Sequence, residues 1–117
     1  MIQRGDVVIV QIAFTDTAAA KKRPCVVVQA DLYNRAIRKT VVATFTGNLR
    51  RRGDAAHLFV DPATAEGASS GLTSPCLASC NNLFTIEQSD VEQVIGHLSD
   101  LLKGQLNNCL KAALELQ

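Results

Sequence analysis

The chain has 117 residues, of which 47% are hydrophobic and 20% charged, with a formal net charge of +1. That size and balance fit one globular domain over residues 1–117, built on a single core. No apolar run approaches the ~20 residues that span a bilayer, and the start "MIQRGDVVIV" lacks a signal-peptide pattern, so a cytoplasmic protein without a membrane segment is expected.

In chain order, "DVVIVQIAF" (6–14) is rich in β-branched residues and reads as a strand after an Arg4-Gly5-Asp6 turn. "TDTAAAKK" (15–22) is a polar, small-residue loop. "RPCVVVQA" (23–30) is a second strand whose apolar run implies cover on both faces, with Pro24 expected at its beginning because proline cannot donate to a ladder. "DLYNRAIRK" is a connection and "TVVATFT" (40–46) a third strand. "GNLRRRGD" is a basic hairpin loop, "AAHLFVD" (55–61) a fourth strand, and "LTSPCLASCNNLFTI" (72–86) one or two more. Similar strand lengths with frequent turn signals argue for a small antiparallel barrel or sandwich. "QSDVEQVIGHL" (88–98) is ambiguous between helix and strand. Around a Ser99-Asp100 cap, Leu98, Leu101, Leu102, Leu106, Cys109, Leu110, Ala113 and Leu116 recur at helical spacing, an amphipathic C-terminal helix weakened by Gly104.

The four cysteines, Cys25, Cys76, Cys80 and Cys109, are expected as reduced thiols, two of them inside apolar elements. Cys76 and Cys80 have no second closely spaced pair, so no metal site is expected. Charge is segregated: ten Lys/Arg against three Asp up to Arg52 give +7, and two Lys against eight Asp/Glu beyond it give −6. Such a split points to a polyanion-facing half, unless the halves interleave in space and cancel. Arg50, Arg51 and Arg52 are either a solvated hairpin tip or a loop that grips phosphates. Phe14, Tyr33, Phe45 and Phe59 are candidates for stacking on bases, with three of the four expected in the core.

Several short pieces, in order, resemble the MazF/PemK family of toxins. They are Gly5-Asp6, Phe14-Thr15-Asp16, Lys22-Arg23-Pro24, Asp31 with Tyr33-Asn34, Thr46-Gly47-Asn48, Gly71-Leu72, Thr85-Ile86 and Gly96-His97-Leu98-Ser99. The resemblance covers roughly residues 4–116. It implies a mainly β fold, an SH3-like antiparallel barrel with a C-terminal helix, in a homodimer. It also implies an endoribonuclease that cuts single-stranded RNA without metal or other cofactor, held in check by a cognate antitoxin. By the same resemblance, Arg23 and Thr46 are the residues tied to cleavage, Asp16 is a candidate substrate contact, and the polar position before Thr85-Ile86 falls on Asn81.

Those residue types suit the chemistry in part. A guanidinium matches the charge of a phosphorane with a fork of donors, and Thr46 can donate to a phosphate oxygen. Asn81 does not titrate, so the general base is not assigned; Asp16, His57 and His97 are the titrating alternatives. Two other functions compete. A gyrase poison resembling CcdB needs an aromatic C-terminal end, whereas this chain has no Trp and finishes "ALELQ". A non-catalytic barrel that binds nucleic acid or peptide would hold RNA without cutting it.

Overall fold

Asp6–Ala13 forms β1, in which alternate valines and isoleucines point to opposite faces of a sheet. The computed structural model describes residues 1–13 and 20–117; Phe14, Thr15 and Asp16 lie outside them. β2 (Ala20–Val27) follows, then a short helix α1 (Asp31–Ala36), β3 (Lys39–Thr46), β4 (His57–Val60), β5 (Cys76–Glu87), β6 (Val91–His97) and a terminal helix α2 (Asp100–Leu114). Among the described residues the strands form one six-stranded sheet, ordered β4-β5-β3-β2-β1-β6, with every neighbouring pair antiparallel. The expected mainly β fold with a C-terminal helix is therefore present. Its ladder ends at β4 and β6, so the sheet stays open along that seam.

Both faces of the sheet are buried, which accounts for the nearly continuous apolar runs. One face carries Val7, Val26, Ala43, Phe45, Leu58, Val60 and Ala78 and packs against Leu98, Leu102, Leu106 and Cys109. The other gathers Val8, Val10, Ile12, Cys25, Val27 and Val42 with Ile2. Because the period is two, β1, β2 and β3 each feed both clusters.

Helix α2 docks by Leu102, Leu106 and Cys109 of the stripe read from its sequence, while Leu101 and Leu116 are exposed. Ser99 caps it, its Oγ accepting from the Leu102 amide at 3.3 Å. Leu102 and Leu106 are buried, each contributing about 1.5–3 kcal/mol on transfer from water, enough to offset the roughly 1 kcal/mol that Gly104 costs in open space. Gly96 has a different reason: a Cβ there would collide with the carbonyls of Ser69 and Ser70, so its absence lets the turn at 68–71 lie directly on β6.

Two expectations change, and two open ones resolve. The "DLYNRA" connection is a helical turn, because buried Asn34 satisfies the backbone around it. Its amide donates to the Gln29 carbonyl at 3.0 Å, and its Oδ1 accepts from Thr40 Oγ1 at 2.7 Å. Residues 76–87 are one long strand, interrupted by a bulge. Residues 88–98 resolve into a 3₁₀ turn (Gln88–Asp90) followed by β6. Pro24 lies inside β2 instead of at its start, paired with Ile9 of β1. That position is tolerated because pairing with β3 begins only at Cys25, so the missing N–H falls where no ladder bond is needed.

Candidate active site

Pro24 determines where β2 and β3 separate. The last pair between them is Cys25 with Thr44, where antiparallel backbones lie about 5 Å apart. Extending that register by two residues sets Arg23 across from Thr46, past the end of the ladder. Directly opposed residues share a face, so the guanidinium stem and the hydroxyl leave the sheet on the same side, at the mouth of a fork.

The neighbouring strands complete a row through this point. Arg23 is paired with Val10 on one side, and Thr46 with Leu77, itself paired with Phe59, on the other. Val10 and Leu77 are wholly buried, so the polar pair is framed by apolar groups. Arg23 is half-buried with its Nε withdrawn from solvent. Burial pushes the Cys25 thiol up to about 12, opposed in part by the positive charge of Arg23. The thiol beside the fork therefore stays neutral.

The loop after β3 begins at the same hydroxyl. Thr46 Oγ1 accepts from the Asn48 amide at 3.2 Å, and Asn48 Oδ1 accepts from the Arg50 amide at 3.0 Å. These two side chains turn the chain so that Arg50, Arg51 and Arg52 follow as exposed cations. The Arg52 guanidinium lies over the Phe59 ring, 3.7 Å from its centroid, at the end of the row that contains Thr46. Phe59 thus has a cation above it, Phe45 is core, and Tyr33 is exposed on α1, contrary to a core place for three of the four aromatics.

Opposite Thr44 the sheet is irregular. Ala43 pairs with Leu83 but Thr44 pairs with Ser79, so Cys80, Asn81 and Asn82 of β5 have no residue of β3 paired with them, a bulge. Asn81 is exposed on this bulge. Its neighbour Asn82 turns back to the site face, Nδ2 donating to Thr44 Oγ1 at 3.1 Å. Neither Asn82 nor Thr44 was singled out from the sequence. Strand alternation carries no signal for a bulge, and only the pairing register reveals this one.

The two histidines separate in space. His97 pairs with Asp6, at the opposite end of β1 from the Val10–Arg23 pair. His57 opens β4 opposite Ser79, which is in turn opposite Thr44, so it shares the site face by register. Its Nδ1 lies 2.7 Å from Asp54 Oδ2. That hydrogen bond, followed by one from the Ala56 amide, holds the Asp54 carboxyl below its ordinary range. The two charge-segregated halves interleave, as β6 flanks β1 and β5 flanks β3, and Lys22 meets Glu92 at 3.2 Å.

A separate apolar groove of about 450 Å³ lies away from the fork, between α2 and the sheet, lined by Val28, Val41, Leu83, Leu110, Leu114 and Leu116. No helix is long and apolar enough to cross a membrane, among the described residues.

A six-stranded antiparallel sheet with a capped C-terminal helix defines a small, mainly β domain class. The family model of the PemK-like, MazF-like toxins of type II toxin-antitoxin systems matches residues 3–114, and the chain belongs to that family. Among solved structures, it is similar to an endoribonuclease in complex with its cognate antitoxin from a Mycobacterial species, with a TM-score of 0.80 at 19% identity, covering 100% of this chain and 98% of that one. It is similar to the Mycobacterium tuberculosis toxin MazF-mt6, with a TM-score of 0.75 at 26% identity over 96% of this chain and 98% of that one. The MazE-MazF structure from Deinococcus radiodurans aligns with a TM-score of 0.73 at 14% identity, over 99% and 98% of the two chains. No curated protein sequence matches the chain.

Proposed function

We propose that this toxin is an endoribonuclease that cleaves single-stranded RNA without a metal ion, through Arg23 and Thr46, and is neutralised by a cognate protein antitoxin. The observation that carries the reading is the β2–β3 fork, which sets a guanidinium stem opposite a hydroxyl within one family-matched fold.

In this reaction the 2′-oxygen attacks the adjacent phosphorus, forming a phosphorane. The bond to the 5′-oxygen then breaks, giving a 2′,3′-cyclic phosphate and a 5′-hydroxyl end. Arg23 meets two phosphate oxygens and stabilises the extra charge, the kind of contribution that is commonly largest in catalysis. Thr46 donates its hydroxyl hydrogen to a non-bridging oxygen, leaving its lone pairs to the Asn48 amide. Water takes the nucleophile's proton and supplies one to the departing 5′-oxygen in this scheme, and rate enhancement rests on charge and position. Arg50 and Arg51 hold the flanking backbone.

The apolar groove beside α2, with Leu114 and Leu116 about half exposed at 52% and 59%, supports a protein-bound state, as a homodimer and with the antitoxin. The test is a synthetic RNA cut by the protein, with product ends identified by mass spectrometry. Cyclic phosphate and 5′-hydroxyl ends are expected, with no product when the scissile nucleotide is 2′-deoxy. Cleavage of the deoxy-substituted strand would contradict this mechanism.

A further inference from the structure

Beside the bulge in β5 a carboxamide lies on the reaction face, at the residue that continues the Ala43–Leu83 register toward Thr44. Asn82 is exposed, yet one of its N–H groups is fixed by the buried Thr44 hydroxyl at 3.1 Å. Thr44 is anchored in turn, two residues before Thr46 on the same strand face and paired with Cys25, two residues after Arg23. The carboxamide therefore sits one step along the face from the phosphate-binding pair, about 7 Å by strand rise.

We infer that Asn82 is a specificity-determining residue that reads one nucleobase next to the scissile phosphate. The inference rests on the ribonuclease reading above. Its chemistry follows from what the Thr44 bond leaves over. The remaining N–H of Nδ2 is a donor and Oδ1 an acceptor, a pair able to meet a base edge that offers an acceptor beside a donor. Single-stranded RNA exposes its Watson–Crick and Hoogsteen edges to such contacts, and asparagine is a side chain that pairs with bases in this bidentate way. Tethering by Thr44 fixes the amide plane before RNA arrives, so less rotamer freedom is lost on binding.

The experiment compares wild type with Asn82→Ala and Thr44→Val by sequencing the cleavage ends of one long single-stranded RNA, with rates measured at matched and singly substituted sites. The inference expects Asn82→Ala to lose roughly ten- to hundredfold preference at one position beside the cut while other positions of the motif persist. Thr44→Val, which keeps the shape but frees the amide, relaxes the same position to a smaller extent. An unchanged motif and rate in Asn82→Ala would overturn it. So would a uniform loss at every site with the motif intact, since that marks support of the fold and not base reading; thermal unfolding of each variant identifies that case. Failure of wild type to cut RNA at all is a separate result, which removes the ribonuclease reading and this inference together.

Discussion

Cys25 and Thr44 form the last pair between β2 and β3, and the proposed cleavage residues Arg23 and Thr46 lie two residues beyond it on each strand. Pro24 follows from that pair: without an N–H it cannot extend the ladder, so Arg23 and Thr46 face each other at the fork. A proline two residues deeper would have cost a central ladder bond. At this position it sets the end of the ladder while β1 continues to pair with β2.

The arginines after β3 should act on affinity through salt. Replacing Arg50 and Arg51 with alanine, while leaving Arg52 on Phe59, should weaken RNA binding uniformly across sequences. The slope of log affinity against log salt should become shallower by about 0.7 per arginine. Fluorescence anisotropy of a labelled RNA at several salt concentrations measures it, and an unchanged slope would leave these residues as a solvated tip.

The buried thiols give an alkaline prediction. Burial pushes Cys25 and Cys80 up to about 12 from an ordinary value of 9.0. A raised folded pKa contributes stability that is fully present below the unfolded value and is lost as pH rises toward the folded one. Stability should therefore decline between those two values as the unfolded chain ionises. Alkylation at mildly alkaline pH should spare both thiols in the native protein and reach all four cysteines in denaturant, as mass spectrometry would show. Rapid native labelling of Cys25 would contradict the packing around the fork.

Asp31 gives the acid counterpart. Its carboxylate accepts from the Arg4 amide at 2.7 Å and from Asn34 Nδ2 at 3.2 Å, and these bonds, the backbone one first, lower its pKa from an ordinary 3.8. A lowered folded pKa contributes stability above the unfolded value, lost as pH falls through the folded one. Asp31→Asn should lower the melting temperature at neutral pH, and the deficit should shrink in acid below the ordinary carboxylate pKa. A deficit that is constant with pH would assign the effect to packing alone.

Much of this was legible in the residues. The β-branched runs, the Ser99 cap and the leucine stripe of α2 gave their elements directly, because burial on one face imposes a period. Arg23 and Thr46 emerged from a resemblance, and the fork that brings them together depends on register, which no local pattern reports. Asn34 was hidden for another reason: a buried asparagine that bonds Gln29 and Thr40 makes a helical turn out of residues that read as a loop. Asn82 needed the pairing of β3 with β5, which sets it beside Thr44, a feature of two strands at once.

Cleavage of a long single-stranded RNA in EDTA, by wild type, Arg23→Ala and Thr46→Ala, tests the central claim most directly. The account predicts cutting by wild type, a loss of about 10²–10³-fold in Arg23→Ala as its charge is removed from the phosphorane, and a marked loss in Thr46→Ala, with all three proteins folded. Arg23→Lys should recover little, since a point charge does not reproduce the guanidinium fork. Cleavage that persists undiminished in Arg23→Ala, or that disappears from wild type in EDTA, would contradict it.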